Sequence, residues 1–221
     1  PKTAALILAA GKGTRMHSDK PKVLQTLLGE PMLACVLEAL RPVFGEDVWI
    51  VAGHRADLVQ AAFPQARFVL QKEQLGTGHA LLQALPALTE AGCSQVLVVN
   101  GDVPLLSESL VRQFLAEGMG ADLAFATIEV DNPGAYGRVV RRDDAVTAIV
   151  EAKDYDPALL GPASNEVNAG MYLCDLAAAA QLLPQVGNKN KSGEYYITDL
   201  VALAVARKYR VRGVRCGRDA A

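Results

Sequence analysis

The sequence predicts an α/β protein with a mostly parallel, Rossmann-like sheet and helices on both faces. Three observations predict it. Short strands recur that are apolar throughout, as strands buried on both faces are. Helix-period segments separate those strands through the first half. Glycine-rich, polar or acidic segments follow several of the strands, where open α/β sheets bind ligands.

Each element has its own reason. Ala4–Ala10 is a continuous apolar strand. Pro31–Leu40 has helical spacing, with Leu33, Val36, Leu37 and Leu40 on one face. Val48–Ala52 is a short apolar strand ended by Gly53, and Asp57–Phe63 a helix stopped by Pro64. Arg67–Leu70 is a strand, His79–Leu88 a helix, and Gln95–Asn100 a strand rich in Val and Leu. Ser107 is placed to cap a helix running to Glu117, with Glu108 adding negative charge to its first turn. Leu123–Val130 is a further strand. Beyond about residue 130 the pattern changes. Arg138–Arg141 and Ala145–Val150 flank a turn at Arg142-Asp143-Asp144 and read as a hairpin. Asn165–Cys174 is a strand, Leu176–Leu183 a helix ended by Pro184, Ile197–Lys208 a helix, and Val211–Val214 a strand returning to the sheet. The expectation is one domain of two lobes, 1–130 and a smaller α+β lobe 131–221, with the ligand between them.

The 221 residues are 51% hydrophobic and 21% charged, enough apolar material for a sizeable core. A net charge of −2 argues against a general nucleic-acid binder. No apolar run approaches the ~18 residues of a membrane span. Pro1-Lys2 leads straight into strand-like sequence without a signal peptide, so a cytoplasmic location is expected. Cys35, Cys93, Cys174 and Cys216 lack metal-site or redox-pair spacing and read as reduced thiols. His17, His54 and His79 are scattered and read as structural or solvent-facing, His79 least clearly because it adjoins Gly76-Thr77-Gly78.

The chemistry concentrates at three strand ends. After the first strand comes Gly11-Lys12-Gly13-Thr14-Arg15-Met16, then Lys20-Pro21-Lys22. A glycine-rich basic loop offers backbone N–H groups and cations to a polyphosphate. It lacks the Gly-Lys-Ser/Thr of a P-loop, and Met16 stands where a dinucleotide fingerprint needs Gly or Ala. Arg15 and Lys22 suit a leaving diphosphate and an attacking phosphate. After the third strand, the Gln71 amide matches a pyrimidine edge, and Gly76-Thr77-Gly78 permits close backbone approach. After the fourth, Gly101 turns the chain and presents Asp102. That Asp fits a turn residue as well as a Mg²⁺ ligand; the phosphate-type loop at the neighbouring strand end favours the metal. In the second lobe, Tyr136-Gly137-Arg138, Glu151 and Asn165–Gly170 carry groups suited to sugar hydroxyls and an acetamido group. The basic run Arg207, Lys208, Arg210, Arg212, Arg215 and Arg218 reads as a solvated face.

Leu8–Met16 with Lys20-Pro21-Lys22 resembles the signature of the sugar-nucleotide pyrophosphorylases. Gln71–Ala80, Asn100–Leu105, Tyr136-Gly137-Arg138 and Gly193–Asp199 narrow the resemblance. Together they are similar to the uridyltransferase domain of the bacterial bifunctional N-acetylglucosamine-1-phosphate uridyltransferase/glucosamine-1-phosphate acetyltransferases. The resemblance implies a nucleotide-diphospho-sugar transferase fold and a Mg²⁺-dependent reaction of UTP with N-acetylglucosamine 1-phosphate, giving UDP-N-acetylglucosamine and diphosphate. It implies that Leu8, Ala9, Ala10, Gly11, Gln71, Gly76 and Thr77 hold the uridine part. It sets Arg15 toward the diphosphate, Lys22 on phosphate, and Asp102 on the metal, with Asn100 and Gly101 beside it. Gly137, Glu151 and Asn168 would hold the sugar. It further implies a longer, homotrimeric parent protein with a β-helical acetyltransferase domain. A second metal ligand, an Asn, is expected past residue 221, so turnover by this chain alone is expected to be weakened.

Overall fold

The fold comes from a computed structural model, which describes residues 1–11, 20–103 and 105–217. The chain opens with β1 (Thr3–Ala9), then a small hairpin of β2 (Thr26–Leu27) and β3 (Glu30–Pro31). There follow α1 (Met32–Phe44), β4 (Val48–Ala52), α2 (Ala56–Ala62), β5 (Arg67–Leu70), α3 (Thr77–Glu90), β6 (Gln95–Asn100), α4 (Glu108–Gly118) and β7 (Leu123–Glu129). The second half contributes β8 (Arg138–Arg142), β9 (Ala145–Val150), α5 (Pro157–Leu160), β10 (Glu166–Asp175), α6 (Leu176–Leu182), α7 (Asp199–Ala206) and β11 (Val211–Arg215).

The main sheet has the order β11-β7-β10-β6-β1-β4-β5. β1 pairs in parallel with β4 and β6, β4 with β5, and β7 with β11, while β10 is antiparallel to both its neighbours. Every strand on that path but β10 therefore points the same way. The β8–β9 hairpin joins β10 through Val167 and Arg138.

β1 shows why the sheet is covered twice. Ala4 and Leu6 pack into one core with Leu81, Ala84 and Leu88 of α3 and with α6 and α7. Ala5 and Ile7 pack into the other with Val36, Leu37 and Leu40 of α1 and Phe114 of α4. All four strand residues are fully buried, so the continuous apolar run serves two faces. β10 does the same: Tyr172 and Cys174 enter the first core, Val167, Met171 and Leu173 the second. Two apolar faces suit it to a central place, and it lies between β6 and β7. The second half thus completes the main sheet besides standing over it.

The remaining differences from the sequence reading are local. α1 continues through Pro42 to Phe44, and α3 begins at Thr77 and runs to Glu90. In α1, burial of Phe44 past the proline outweighs the lost N–H. α7 is shorter than Ile197–Lys208. The Ile197 N–H is taken by Thr77 Oγ1 before the helix begins, and Lys208, at φ +61°, ends it. The β2–β3 hairpin, a single 3₁₀ turn at Lys22–Leu24 and α5 are too short to leave a periodic signal. The Ser107 cap forms as expected, its hydroxyl accepting from the Leu110 N–H at 3.3 Å. Among the described residues no helix is long and apolar enough to cross a membrane.

Candidate active site

The first strand end is built by close packing. Gly101 donates its N–H to the Leu8 carbonyl at 2.9 Å. A Cβ on Gly101 would stand 2.9 Å from Val23 Cγ1 and 3.2 Å from that carbonyl, so only glycine fits. This contact seats β6 against β1 and brings Asp102 to the sheet's edge. There Lys22 Nζ lies 2.5 Å from Asp102 Oδ2. Lys22 is held by its own short turn, with Val23 and Leu24 buried and Pro21 extended before it. Ala9 and Ala10 are buried, and the Ala10 carbonyl accepts from His54 N–H. Gly11 is exposed, and a Cβ there would meet nothing within 4 Å. Packing among the described residues does not demand that glycine. Arg15 lies outside the described residues.

The third strand end is built around Gln71, which is 3% exposed. Its N–H donates to the Ala52 carbonyl at 2.8 Å, continuing the β4–β5 ladder. Its side-chain nitrogen lies 3.1 Å from the Gly76 carbonyl and 2.8 Å from His79 Nδ1. Gly76-Thr77-Gly78 then opens α3 against the segment before α7. Gly78 N–H donates to the Tyr195 carbonyl at 2.8 Å, Tyr195 N–H to the Leu75 carbonyl at 2.8 Å, and Ile197 N–H to Thr77 Oγ1 at 2.9 Å.

The same segment also binds Glu151 within the second half. Thr198 Oγ1 donates to Glu151 Oε1 at 3.0 Å. A Cβ on Gly137 would stand 3.6 Å from that same oxygen, and the Gly137 carbonyl accepts from Asn168 N–H at 2.9 Å. Asn168 sits at a break in register between β10 and β7, with Gly170 at φ +76°. In a regular strand residues four apart stand about 13 Å from one another. Here the bulge brings Asn168 Nδ2 to 2.6 Å from Tyr172 Oη. Gly170 in turn backs onto Asn100, whose amide nitrogen would be 3.0 Å from a Cβ there. The contacts run from Asp102 and Leu8 through Asn100, Gly170, Asn168, Gly137, Glu151 and Thr198 to Thr77 and Gln71.

Charge in this half is tuned by burial. Burial pushes the Glu151 carboxyl up, offset by the Thr198 hydrogen bond and the Lys153 charge, while Asp154 and Glu194 push it further up. Asp199 is pushed up to about 6, by burial first and then by the negative charges of Glu151 and Asp154. Burial also pushes the Tyr172 phenol well up, so it stays protonated. Among the described residues no three His, Cys, Asp or Glu side chains group to hold a metal. A Mg²⁺ site here would therefore use the Asp102 carboxylate with oxygens from a bound phosphate and water, which is its usual habit beside nucleotides.

His79, Tyr172, Thr198 and Asp199 are the site residues that sequence reading did not assign. His79 adjoins a flagged glycine pair, and Thr198 and Asp199 lie in a quoted motif, but no spacing in the chain links them to Gln71 or Glu151. Tyr172 reads as an apolar strand residue, and its tie to Asn168 exists only because of the bulge.

An open α/β sheet with polar side chains gathered at the carboxyl ends of β1, β5 and β6 is the architecture of a nucleotide-handling transferase. The chain belongs to the MobA-like NTP transferase domain family, which it matches over residues 5–164. It is 61% identical over 219 residues to the bifunctional protein GlmU of Nitratidesulfovibrio vulgaris strain Hildenborough, covering 98% of this chain and 48% of that protein. It is 45% identical over 214 residues to the bifunctional protein GlmU of Lawsonia intracellularis, covering 96% of this chain and 47% of that one. The chain spans about half the length of these curated relatives. The inositol-1-phosphate CTP transferase of T. maritima shares the fold, with a TM-score of 0.74 at 16% identity over 98% of this chain and 86% of that chain.

Proposed function

We propose that this domain makes UDP-N-acetylglucosamine and diphosphate from UTP and N-acetylglucosamine 1-phosphate. The observation that carries the reading is that the Lys22–Asp102 pair lies just past Asn100, which backs onto Gly170 beside Asn168, while Thr198 ties Glu151 to the segment that meets Thr77. A phosphate-handling pair near sugar-type polar groups supports a transfer between two bound substrates, which must be held together. Residues 1–130 would supply the nucleotide side and residues 131–221 most of the sugar side.

In this reading a phosphate oxygen of the sugar phosphate attacks the UTP α-phosphorus in line. The new P–O bond forms as the bond to the β-phosphate oxygen breaks, and diphosphate leaves. The protein positions and neutralises; no covalent enzyme intermediate is needed. Leu8 to Gly11, Gln71, Gly76 and Thr77 hold the uridine part, with Gly11 leaving room for the nucleotide. Lys22 offers positive charge to phosphate, and Arg15 faces the diphosphate. Asp102 would hold Mg²⁺, which when bound neutralises charge on the phosphates. Glu151, Asn168 and the Gly137 backbone hold the sugar. For the longer protein we propose glucosamine 1-phosphate acetylation by a separate domain that drives trimer formation.

The test is product formation with Mg²⁺ across a panel of nucleoside triphosphates and sugar phosphates, read as diphosphate release. UTP with N-acetylglucosamine 1-phosphate should be the preferred pair; preference for another pair would reassign the substrate. Asp102→Asn should lower kcat by ~10³-fold or more while sparing most of the uridine affinity. Survival of full activity in that variant would remove Asp102 from the metal site.

A further inference from the structure

Gln71 is held in a way that leaves one polar atom for a ligand. Its main-chain N–H and its side-chain nitrogen are both engaged, the nitrogen with the Gly76 carbonyl at 3.1 Å and His79 Nδ1 at 2.8 Å. Which end of a carboxamide is the nitrogen follows from its partners. A main-chain carbonyl only accepts, so the atom facing Gly76 O is the nitrogen. Its second hydrogen then points at His79 Nδ1, which accepts only in the tautomer carrying its proton on Nε2. Both donors are thereby used inside the protein. Oε1 takes no hydrogen bond from any of the described residues.

We infer that His79 is a positioning residue that fixes the Gln71 carboxamide so that only its acceptor, Oε1, is offered to the base. The inference rests on the proposed reading that Gln71 faces the nucleobase. A base offering an N–H at the facing position is then accepted, as uracil does at N3. Cytosine presents a lone pair at that position and meets oxygen against nitrogen with no proton between them. Discrimination is strong where a site's polar group would be left facing the wrong partner. Without His79, one amide hydrogen is released, and the same side chain offers a donor as well as an acceptor.

The experiment measures UTP and CTP affinity by calorimetry, and kcat and KM for both, in the protein and its variants. His79→Leu should reduce the preference for UTP over CTP by about ten-fold or more, through nucleotide affinity and KM, with the KM for the sugar phosphate unchanged. His79→Asn should restore the preference, because its Oδ1 replaces Nδ1 as acceptor. A folded His79→Leu protein that keeps the full preference would overturn the inference. Nitrogen chemical shifts of the His79 ring test it without a variant: the Nε2–H tautomer is expected, and the Nδ1–H tautomer overturns it. Gln71→Ala separates the two readings. If that variant binds uridine nucleotides unchanged, Gln71 does not face the base and the nucleotide placement itself is wrong.

Discussion

Gly76 stands at φ +113°, and a Cβ there would lie 2.6 Å from the Tyr195 carbonyl oxygen and 2.8 Å from the Tyr195 nitrogen. Those are backbone atoms that cannot swing aside. Gly76→Ala is therefore expected to cost about 2–5 kcal/mol, from backbone strain and overpacking together. Urea unfolding measures it, and a loss below ~0.5 kcal/mol would show that the segment yields freely. Asp199 gives a pH prediction. It lies in the first turn of α7, where the helix favours a carboxylate, yet burial and the neighbouring carboxylates raise it from 3.8 to about 6. A carboxyl that is harder to ionise in the folded state binds more protons there than when unfolded. Stability from this group is present at low pH and falls as pH rises from about 3.8 to about 6. Asp199→Asn should raise the melting temperature at neutral pH by roughly 2–4 °C and leave it unchanged near the acid end of that window. No gain at neutral pH would mean that the carboxylate is not penalised.

At the scale of elements, three strands are fastened by one buried carboxylate. Glu166 of β10, 5% exposed, accepts from Arg141 of β8 at 2.7 and 2.8 Å and from Thr127 of β7 at 2.8 Å. Burial pushes its pKa up, but the Arg141 and Thr127 bonds outweigh this and hold it below the usual value. The pairing thus contributes stability at neutral pH that is lost as pH falls through the acid range. Arg141→Met leaves the buried carboxylate with the more distant Arg215, at 3.8 Å, and should cost about 3 kcal/mol at pH 7. Chemical denaturation at pH 7 and at pH 4 checks both size and sign: the deficit should shrink at the lower pH. The exposed pair of Arg112 with Glu108, one turn apart on α4, should contribute only a few tenths of a kcal/mol (~0.3) by contrast.

The whole molecule is tied together by interleaving. β10 lies between β6 and β7, and the Thr77–Ile197 bond joins the two halves beside Gln71. Urea unfolding should accordingly be one transition. The single tryptophan, Trp49 on β4, and far-UV circular dichroism should report the same midpoint. Two separated midpoints would mean that the halves unfold independently.

Much of this was legible from the chain. Continuous apolar runs such as Ala4–Ala10 announce strands buried on both faces, because only such strands need no polar side. Ser107 and the Asp143-Asp144 turn are read locally, since caps and turns depend on neighbours in sequence. The chain also set the chemistry available at each strand end: Gly101 before Asp102, Lys22 after Pro21, Gln71 before Gly76 and Thr77. Only the tertiary structure decided which of these meet. Burial carried α1 past its proline, and two-faced burial drew β10 into the middle of the sheet. The bulge at Gly170 gave the core residue Tyr172 a hydrogen bond to Asn168. Packing of the Tyr195–Thr198 segment against α3 brought Thr198 to Glu151, and the α3 turn set His79 against Gln71. The sequence by itself determined strand, helix and candidate chemistry, because those follow from period and local residue type. The tertiary structure decided the partners, because residues 5 to 120 positions apart meet only through burial and strand order, which no local pattern records.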